Sequence, residues 1–312
     1  MAAAASLLFA AYSGQAATGN TIGLLVFSED ARFVRAAKGI KDTLEGAGMS
    51  GPRTRVIEEN AEGDKTKAAA LAEKFALARM DLVFAVGTQA TVAAARRIKD
   101  VPLVFAEVYD PVEARIAKAW KSSGNNTTGT PSKGHMPKLI ECLRRFAPVR
   151  SLAVLYTPGE ANSELVLRDL RLVEAELALR VVPVQFAEKG DAVRFLSPAL
   201  RSVDALYVTG SSVIDRELSS VVVAVTKAKK VSTSHLPDMV ERGVLLGLCT
   251  NPYLIGRSAG EKALRILQGA KPSSIPLDSP AVMNIILNLR TARAGGFTIS
   301  PDFMKTVSRT IE

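Results

Sequence analysis

From residue 22 onward the chain repeats one pattern, a short unbroken apolar run followed by a longer segment of helical period. "IGLLVF" precedes Phe33, Ala37, Ile40 and Leu44, which share one helical face behind Asp30, with Gly46 and Gly48 closing the segment. "RVIE" precedes "DKTKAAALAEKFALAR", with Leu71, Phe75 and Ala78 on one side behind Asp64; then come "LVFAV", a helix from about Thr88, "LVFA" and a helix expected from Pro111. Proline suits a first helical turn, where no N–H is needed. Strand runs without an alternating polar face imply sheets covered on both sides, so the fold class is α/β with three-layer open sheets.

Periodicity disappears in "WKSSGNNTTGTPSKG", whose composition suits a linker or crossover, and the alternation then resumes. The second set is "LAVLY", helix 160–179, "VVPVQF", helix 190–201, "ALYV", helix 213–229, "VST", a short helix near 236 and "GVLLGL". "YLIGRSAGEKALRILQG" adds an amphipathic helix, followed by a strand-like "VMNIILNL" and a short helix after Pro301 that could pack on either unit. At about 150 residues per domain, 312 residues accommodate two such units. Lobe 1 is read as 20–125 plus 252–280 and lobe 2 as 126–251 plus 281–312, behind a leading segment 1–19.

That leading segment, "MAAAASLLFAAYSGQAATGN", has the apolar run and trailing small residues of an export signal but lacks a basic n-region. Neither Cys142 nor Cys249 is near the start, so the expectation is an exported, periplasmic protein that is not lipid-anchored. Two cysteines make no disulfide scaffold, and both read as buried apolar side chains. The 40 Lys plus Arg against 31 Asp plus Glu give +9, but the basic residues are spread along helices and aromatics make up only 5%, which argues against a nucleic-acid partner. Past residue 17 no apolar run approaches the roughly 18 residues of a membrane span.

Ligands of open parallel sheets bind beyond the carboxyl ends of the strands, where helix N-termini present free N–H groups. "LVFAV" delivers Gly87, Thr88 and Gln89 to such an edge, where Gly87 would let a ligand approach the backbone; "LVFA" delivers Glu107, Tyr109 and Asp110, and "LLVF" delivers Ser28, Glu29 and Asp30. In the second unit "LAVLY" ends at Thr157 to Ser163 and "ALYV" at Thr209, Gly210, Ser211 and Ser212. Helix capping explains Asp30, Thr88, Asp110 or Ser211 taken singly. Five such strand ends facing one another read as a cleft lining.

The blocks "DLVFAVGTQATVAAARRIKDVPLVFAEVYDPVEA", "GNNTTG", "LAVLYTPGEANS", "NPYLIGRSAGEKALRILQGAKPSSIPLDSP" and "LNLRTARAGGFTISPDFMKTVSRTI" resemble the ABC-transporter substrate-binding proteins of the tryptophan/tyrosine-binding type. The resemblance spans nearly the whole chain from about residue 20. It implies a type I periplasmic-binding-protein fold, two Rossmann-like lobes joined by three crossovers with a ligand closed between them. Carried over, it implicates Gly87, Thr88, Gln89, Tyr109, Asp110, Glu160, Asn162, Ser163 and Asn251. "SSGNNTTG" keeps Asn126 and Gly129 of the family's first crossover but loses its proline; "LCTN" puts Asn251 where the family tends to have an acid, and Tyr109 stands where a small hydroxyl residue is usual.

The function expected is capture of a small polar molecule, an amino acid or related compound, for an ABC permease in the inner membrane, by a monomer. Thr88 and neighbouring amides would hold an anionic group, Asp110 an ammonium or hydroxyl, and Tyr109 would stack on a ring. The alternative is a sensory module reporting to a signalling receptor. No P-loop, GxGxxG, HExxH or GxSxG occurs, and His135 and His235 read as polar loop residues, so neither an enzyme, a metal nor a cofactor is expected. A regulator of the same fold would need a helix-turn-helix, for which there is no room before residue 22.

Overall fold

In the computed structural model, residues 19–312 are described, apart from 52, 53, 79, 189 and 281; the signal-like segment lies outside them, except for its last residue. Two separate sheets form. The first contains β1 (Asn20–Val26), β2 (Thr54–Asn60), β3 (Leu82–Val86), β4 (Leu103–Val108) and β5 (Thr127–Pro131), in the order β2-β1-β3-β4-β5 and parallel throughout. The second contains β6 (Ser151–Tyr156), β7 (Arg180–Gln185), β8 (Ala205–Val208), β9 (Val231–Ser234), β10 (Leu246–Cys249), β11 (Asn284–Asn288) and β12 (Arg309–Ile311), in the order β12-β11-β10-β9-β8-β6-β7. Among the described residues only the β10/β11 pair is antiparallel.

The apolar runs are the sheet interiors: β3 and β4 are buried at every residue, as hydrocarbon covered on both faces requires. Around the first sheet lie α1 (Ala31–Gly46), α2 (Lys65–Leu77), α3 (Thr88–Arg97) and the returning α9 (Pro252–Leu267). Helix α9 packs on α1 at backbone contact, since a Cβ on Gly256 would sit 1.9 Å from the Ala36 carbonyl oxygen and one on Gly39 2.2 Å from that of Tyr253. Ile255, Ala259, Ala263 and Ile266 of α9 thereby join the core formed by Ile22, Leu24 and Ile40.

The second sheet carries α4 (Met136–Arg144), α5 (Ala161–Leu172), α6 (Ser197–Leu200), α7 (Ser212–Lys227), α8 (Pro237–Glu241), α10 (Leu289–Gly295) and α11 (Pro301–Met304). A π-helical turn at Ala192–Leu196 precedes α6, and α5 ends well before the residue 179 expected of it. Cys142 and Cys249 are free and buried.

The chain passes between lobes three times, after β5, between β10 and α9, and between Ile275 and β11. Two expectations change. Residues 127–131 belong to the first sheet, so the first crossover follows Pro131 and does not begin at 126. Pro111 starts no helix: residues 111–116 are successive turns, held by the Asp110 carboxylate, which accepts from the Val112 and Glu113 N–H groups (both 3.1 Å), and broken at Arg115 (φ 58°). No helix among the described residues is long and apolar enough to cross a membrane.

Candidate functional site

The strand order reverses between β1 and β3 in one sheet and between β6 and β8 in the other, and loops diverge at such points to leave a crevice. The two crevices face each other and enclose a cavity of about 230 Å³. Its wall comes from the carboxyl ends of strands in both lobes: Phe27 and Ser28 after β1, Thr88 and Gln89 after β3, Glu107 and Tyr109 at β4, and Ser132 after β5. From the second lobe come Glu160 and Asn162 after β6, Gly210, Ser211, Ser212, Asp215 and Arg216 after β8, and His235 and Leu236 after β9. Asp30, Arg32, Phe33, Glu62 and Gly63 complete it.

Helices α3 and α5 begin at this wall, one from each lobe, with no side-chain hydrogen bond to their first N–H groups. Such ends attract an anion through free donors and the helix dipole. Gln89 and Asn162, in these two first turns, meet across the lobes at 3.4 Å, and Asn162 Nδ2 donates to the Gly210 carbonyl at 2.5 Å. Ser211 caps α7 through the Ile214 N–H (3.0 Å), while Glu160 accepts from the Ser212 hydroxyl (2.7 Å) and N–H (3.3 Å). Phe27 and Phe33 supply an apolar wall, meeting edge to face with ring centroids 6.5 Å apart.

Arg32 is the electrostatic centre of the site. Although on α1, it is only 5% exposed, and its guanidinium donates to Asp238 (2.5 Å) and Asp30 (2.8 Å), with Asp215 at 3.5 Å. Burial alone would lower its pKa, but Asp238, Asp215 and Asp30 together raise it further above its ordinary value. Oxygens of the three aspartates lie within 4.8 Å of one another, a spacing a metal could use, yet the guanidinium already supplies the positive charge between them. Burial pushes Asp215 up to about 6, against the pull of Arg32. His235 is buried, its Nδ1 is 2.7 Å from the Tyr207 hydroxyl, and burial plus Arg32 lower it to about 3, so it is neutral.

Several residues expected at the site are brought to this wall: Ser28, Asp30, Thr88, Gln89, Glu107, Tyr109, Glu160, Asn162 and Ser211. Five others lie elsewhere. Asp110 is 2% exposed, capping the 111–116 turns and accepting from Lys133 Nζ at 2.6 Å, so its carboxylate is already occupied. Thr209 and Ser163 are fully buried behind the wall in a relay running from the Thr157 N–H to the Leu155 carbonyl. Asn251 caps α9 through the Tyr253 and Leu254 N–H groups and lines a separate surface groove with Arg35 and Arg309. Gly87 serves a different purpose from the one expected: its φ is 95°, and a Cβ there would come within 2.9 Å of the Phe33 ring.

Tyr109 lines the cavity, but its hydroxyl donates to Asp169 across the lobes (3.1 Å) and its ring meets His235 edge to face at 5.2 Å. His235 lies in the loop between β9 and α8, as expected, but it is buried on the cavity wall. Sequence reasoning also passed over Arg32. The available signal was its place in the series Arg32, Ala36, Ile40, Leu44, which puts a lone arginine on the buried side of α1.

A closed crevice between two doubly wound lobes, lined by strand ends from both, defines a two-lobed small-molecule-binding protein. Residues 21–311 match the family described as ABC transporter substrate binding protein, and the chain belongs to it. Such proteins are binding proteins and not enzymes. A tyrosine-binding protein of Clostridioides difficile (strain R20291) is 26% identical over 275 residues, covering 88% of this chain and 80% of that one. An ABC domain from Streptococcus pneumoniae, solved in complex with L-Trp, superposes with a TM-score of 0.88 at 25% identity over 94% of this chain and all of that one. A substrate binding protein with adhesive properties from Clostridium difficile, in its ligand-free, open form, gives 0.76 at 26% identity, over 94% of this chain and 100% of that one.

Proposed function

We propose that this protein captures an aromatic amino acid of the tyrosine or tryptophan kind outside the cytoplasm and presents it to an ABC permease. The observation that carries the reading is the cavity itself, which places helix N-termini from both lobes, an apolar wall of Phe27, Phe33 and Leu236, and a buried carboxyl around one enclosed space. Those features answer, in turn, to a carboxylate, a ring and an ammonium. The names of the similar proteins support the same class.

Capture works by closure. Atoms of both lobes touch a ligand only when the lobes are together, so binding shifts the open–closed balance by that difference in contacts. This chain superposes better on the L-Trp complex than on the open form at nearly equal identity, which fits a closed arrangement. Direct bonds across the lobes also favour it: Arg35 to Glu241 through two hydrogen bonds (2.7 and 2.8 Å), and Lys65 Nζ to the Gly159 carbonyl (3.0 Å).

The test is a thermal-shift and calorimetric screen over the amino acids. L-tryptophan or L-tyrosine at a hundred times its dissociation constant should stabilise the protein by about 2.7 kcal/mol. Absence of a shift with both, alongside a hit from another compound class, would overturn the ligand assignment.

A further inference from the structure

Glu107 stands apart from every other carboxyl on the cavity wall. Asp30 and Asp215 are engaged by Arg32, Glu160 by Ser212, and Glu62 by Lys67 at 2.8 Å. Glu107 is 5% exposed, and among the described residues its Oε1 has no hydrogen-bond partner although it lines the cavity. A buried acceptor left unpaired costs about 1–3 kcal/mol, so a native fold keeps one where something arrives to use it.

The backbone also singles out this position. The β4/β5 register shifts between Ala106 and Val108, so Glu107 is an extra residue bulged out of the ladder, and its φ is 58°, in the left-handed region that disfavours a side chain. Bulges re-aim side chains beside functional sites, and strain of this kind persists where the surroundings hold it. Continuity of the ladder on both sides, through Gly87 N to the Ala106 carbonyl and Ser132 N to the Val108 carbonyl (both 2.9 Å), provides that hold.

We propose that Glu107 is the receptor for the ligand's ammonium group, and that the cleft therefore selects aromatic amines over amine-free aromatic acids. This deepens the reading above and rests on it for the aromatic part alone. Arg32 cannot take the complementary role of anion receptor without abandoning Asp238 and Asp30, which leaves the uncapped starts of α3 and α5 for a carboxylate. The lining holds the carboxyls of Asp30, Glu62, Glu107, Glu160 and Asp215 against the guanidiniums of Arg32 and Arg216, an acidic excess that favours a cation.

Burial raises Glu107 to about 8, opposed by Arg32 and the Ser132 hydroxyl and reinforced by Asp238. His235, also on the wall, is neutral and does not offset it. The carboxyl is therefore protonated at pH 7, and an arriving ammonium displaces that proton to solvent: the O–H of the acid breaks, the proton leaves to buffer, and the carboxylate accepts N–H donors. Binding at pH 7 releases close to one proton, and affinity for an amine rises between pH 6 and 8.

The experiment titrates the parent and Glu107→Gln with L-tryptophan, tryptamine, which lacks the carboxylate, and indole-3-propionate, which lacks the ammonium. Calorimetry in buffers of different ionisation enthalpy counts the protons. The parent should bind the two amines with proton release, and the variant should lose about ten- to a hundredfold for both while keeping indole-3-propionate unchanged. Equal binding of L-tryptophan by parent and variant, or of tryptophan and indole-3-propionate by the parent, would overturn the proposal. If the parent binds none of the three, the aromatic reading has failed, and a thermal-shift panel of arginine, agmatine and putrescine decides Glu107 separately. A shift present in the parent and absent in Glu107→Gln upholds it; no amine shifting the parent rejects it. The variant's own melting temperature, expected to be no lower than the parent's, shows that it folds.

Discussion

Replacing Arg32 with methionine should open the protein. Arg32 belongs to the first lobe and its partners Asp215 and Asp238 to the second, so its bonds exist only while the lobes are together. Asp238 is 2% exposed, and among the described residues its Oδ1 already lacks a partner. Removing the guanidinium leaves carboxylates buried together in the closed form, whereas in an open form water solvates them. Stranding one partner of a buried ion pair costs about 3–5 kcal/mol, which lowers the closed-to-open ratio by about two to four orders of magnitude. By contrast, the Arg35 side chain is 39% exposed, so Arg35→Ala should change that ratio by less than about 1 kcal/mol, and less again in high salt. Nitroxide labels at Leu77 and Leu172, which are 79% and 73% exposed and lie in different lobes, report the separation by pulsed dipolar spectroscopy without disturbing a core. The expected result is a longer, broader distance distribution for Arg32→Met that contracts on ligand addition, with weakened affinity. Distances and affinity identical to the parent's would refute the argument, and so would equal effects of Arg32→Met and Arg35→Ala.

Other perturbations have defined signs. Glu107 ionises near 4.5 when unfolded and near 8 when folded, so the folded state holds an extra proton between these values and stability falls as pH rises through that window. Denaturant titrations at pH 5 and 9 should show Glu107→Gln escaping most of a decline worth up to about 5 kcal/mol. His235 has the opposite sign: folded at about 3 against 6.5 unfolded, it contributes stability that is lost as pH falls below 6.5, so His235→Gln should lose less stability than the parent between pH 7 and pH 4, by about 3 kcal/mol. Gly87→Ala should destabilise by about 1–3 kcal/mol in urea unfolding, since alanine meets both a disfavoured φ and the Phe33 ring.

The sequence disclosed the layered fold because β1, β3 and β4 each carry a continuous apolar run, the ordinary pattern of a strand covered on both faces. It concealed β5 because Thr128 and Thr130 sit in that sheet through hydroxyl bonds, to the Ile275 carbonyl and to Ser258, and not through hydrocarbon. Pro111 looked like a helix start because proline tolerates that place equally well in a turn. At the site, polar strand ends were readable as a group but not individually. Asp110 and Glu107 are three residues apart, and only the bulge in β4 decides which faces the cavity and which is consumed by local N–H groups. Arg32 was opaque for a different reason. An arginine on an amphipathic helix ordinarily faces water, and what buries this one is three aspartates drawn from residues 30, 215 and 238.

The glycine-mediated seam between α1 and α9 governs how the polypeptide is made. The first lobe's core needs Ile255, Ala259, Ala263 and Ile266, which leave the ribosome only after all the strands from β6 to β10. A nascent chain that has reached β5 holds a parallel sheet with part of one face bare, and it gains its cover only near residue 267. The first lobe therefore cannot complete its hydrocarbon core until synthesis has passed α9, so the order of translation makes the two lobes finish almost together.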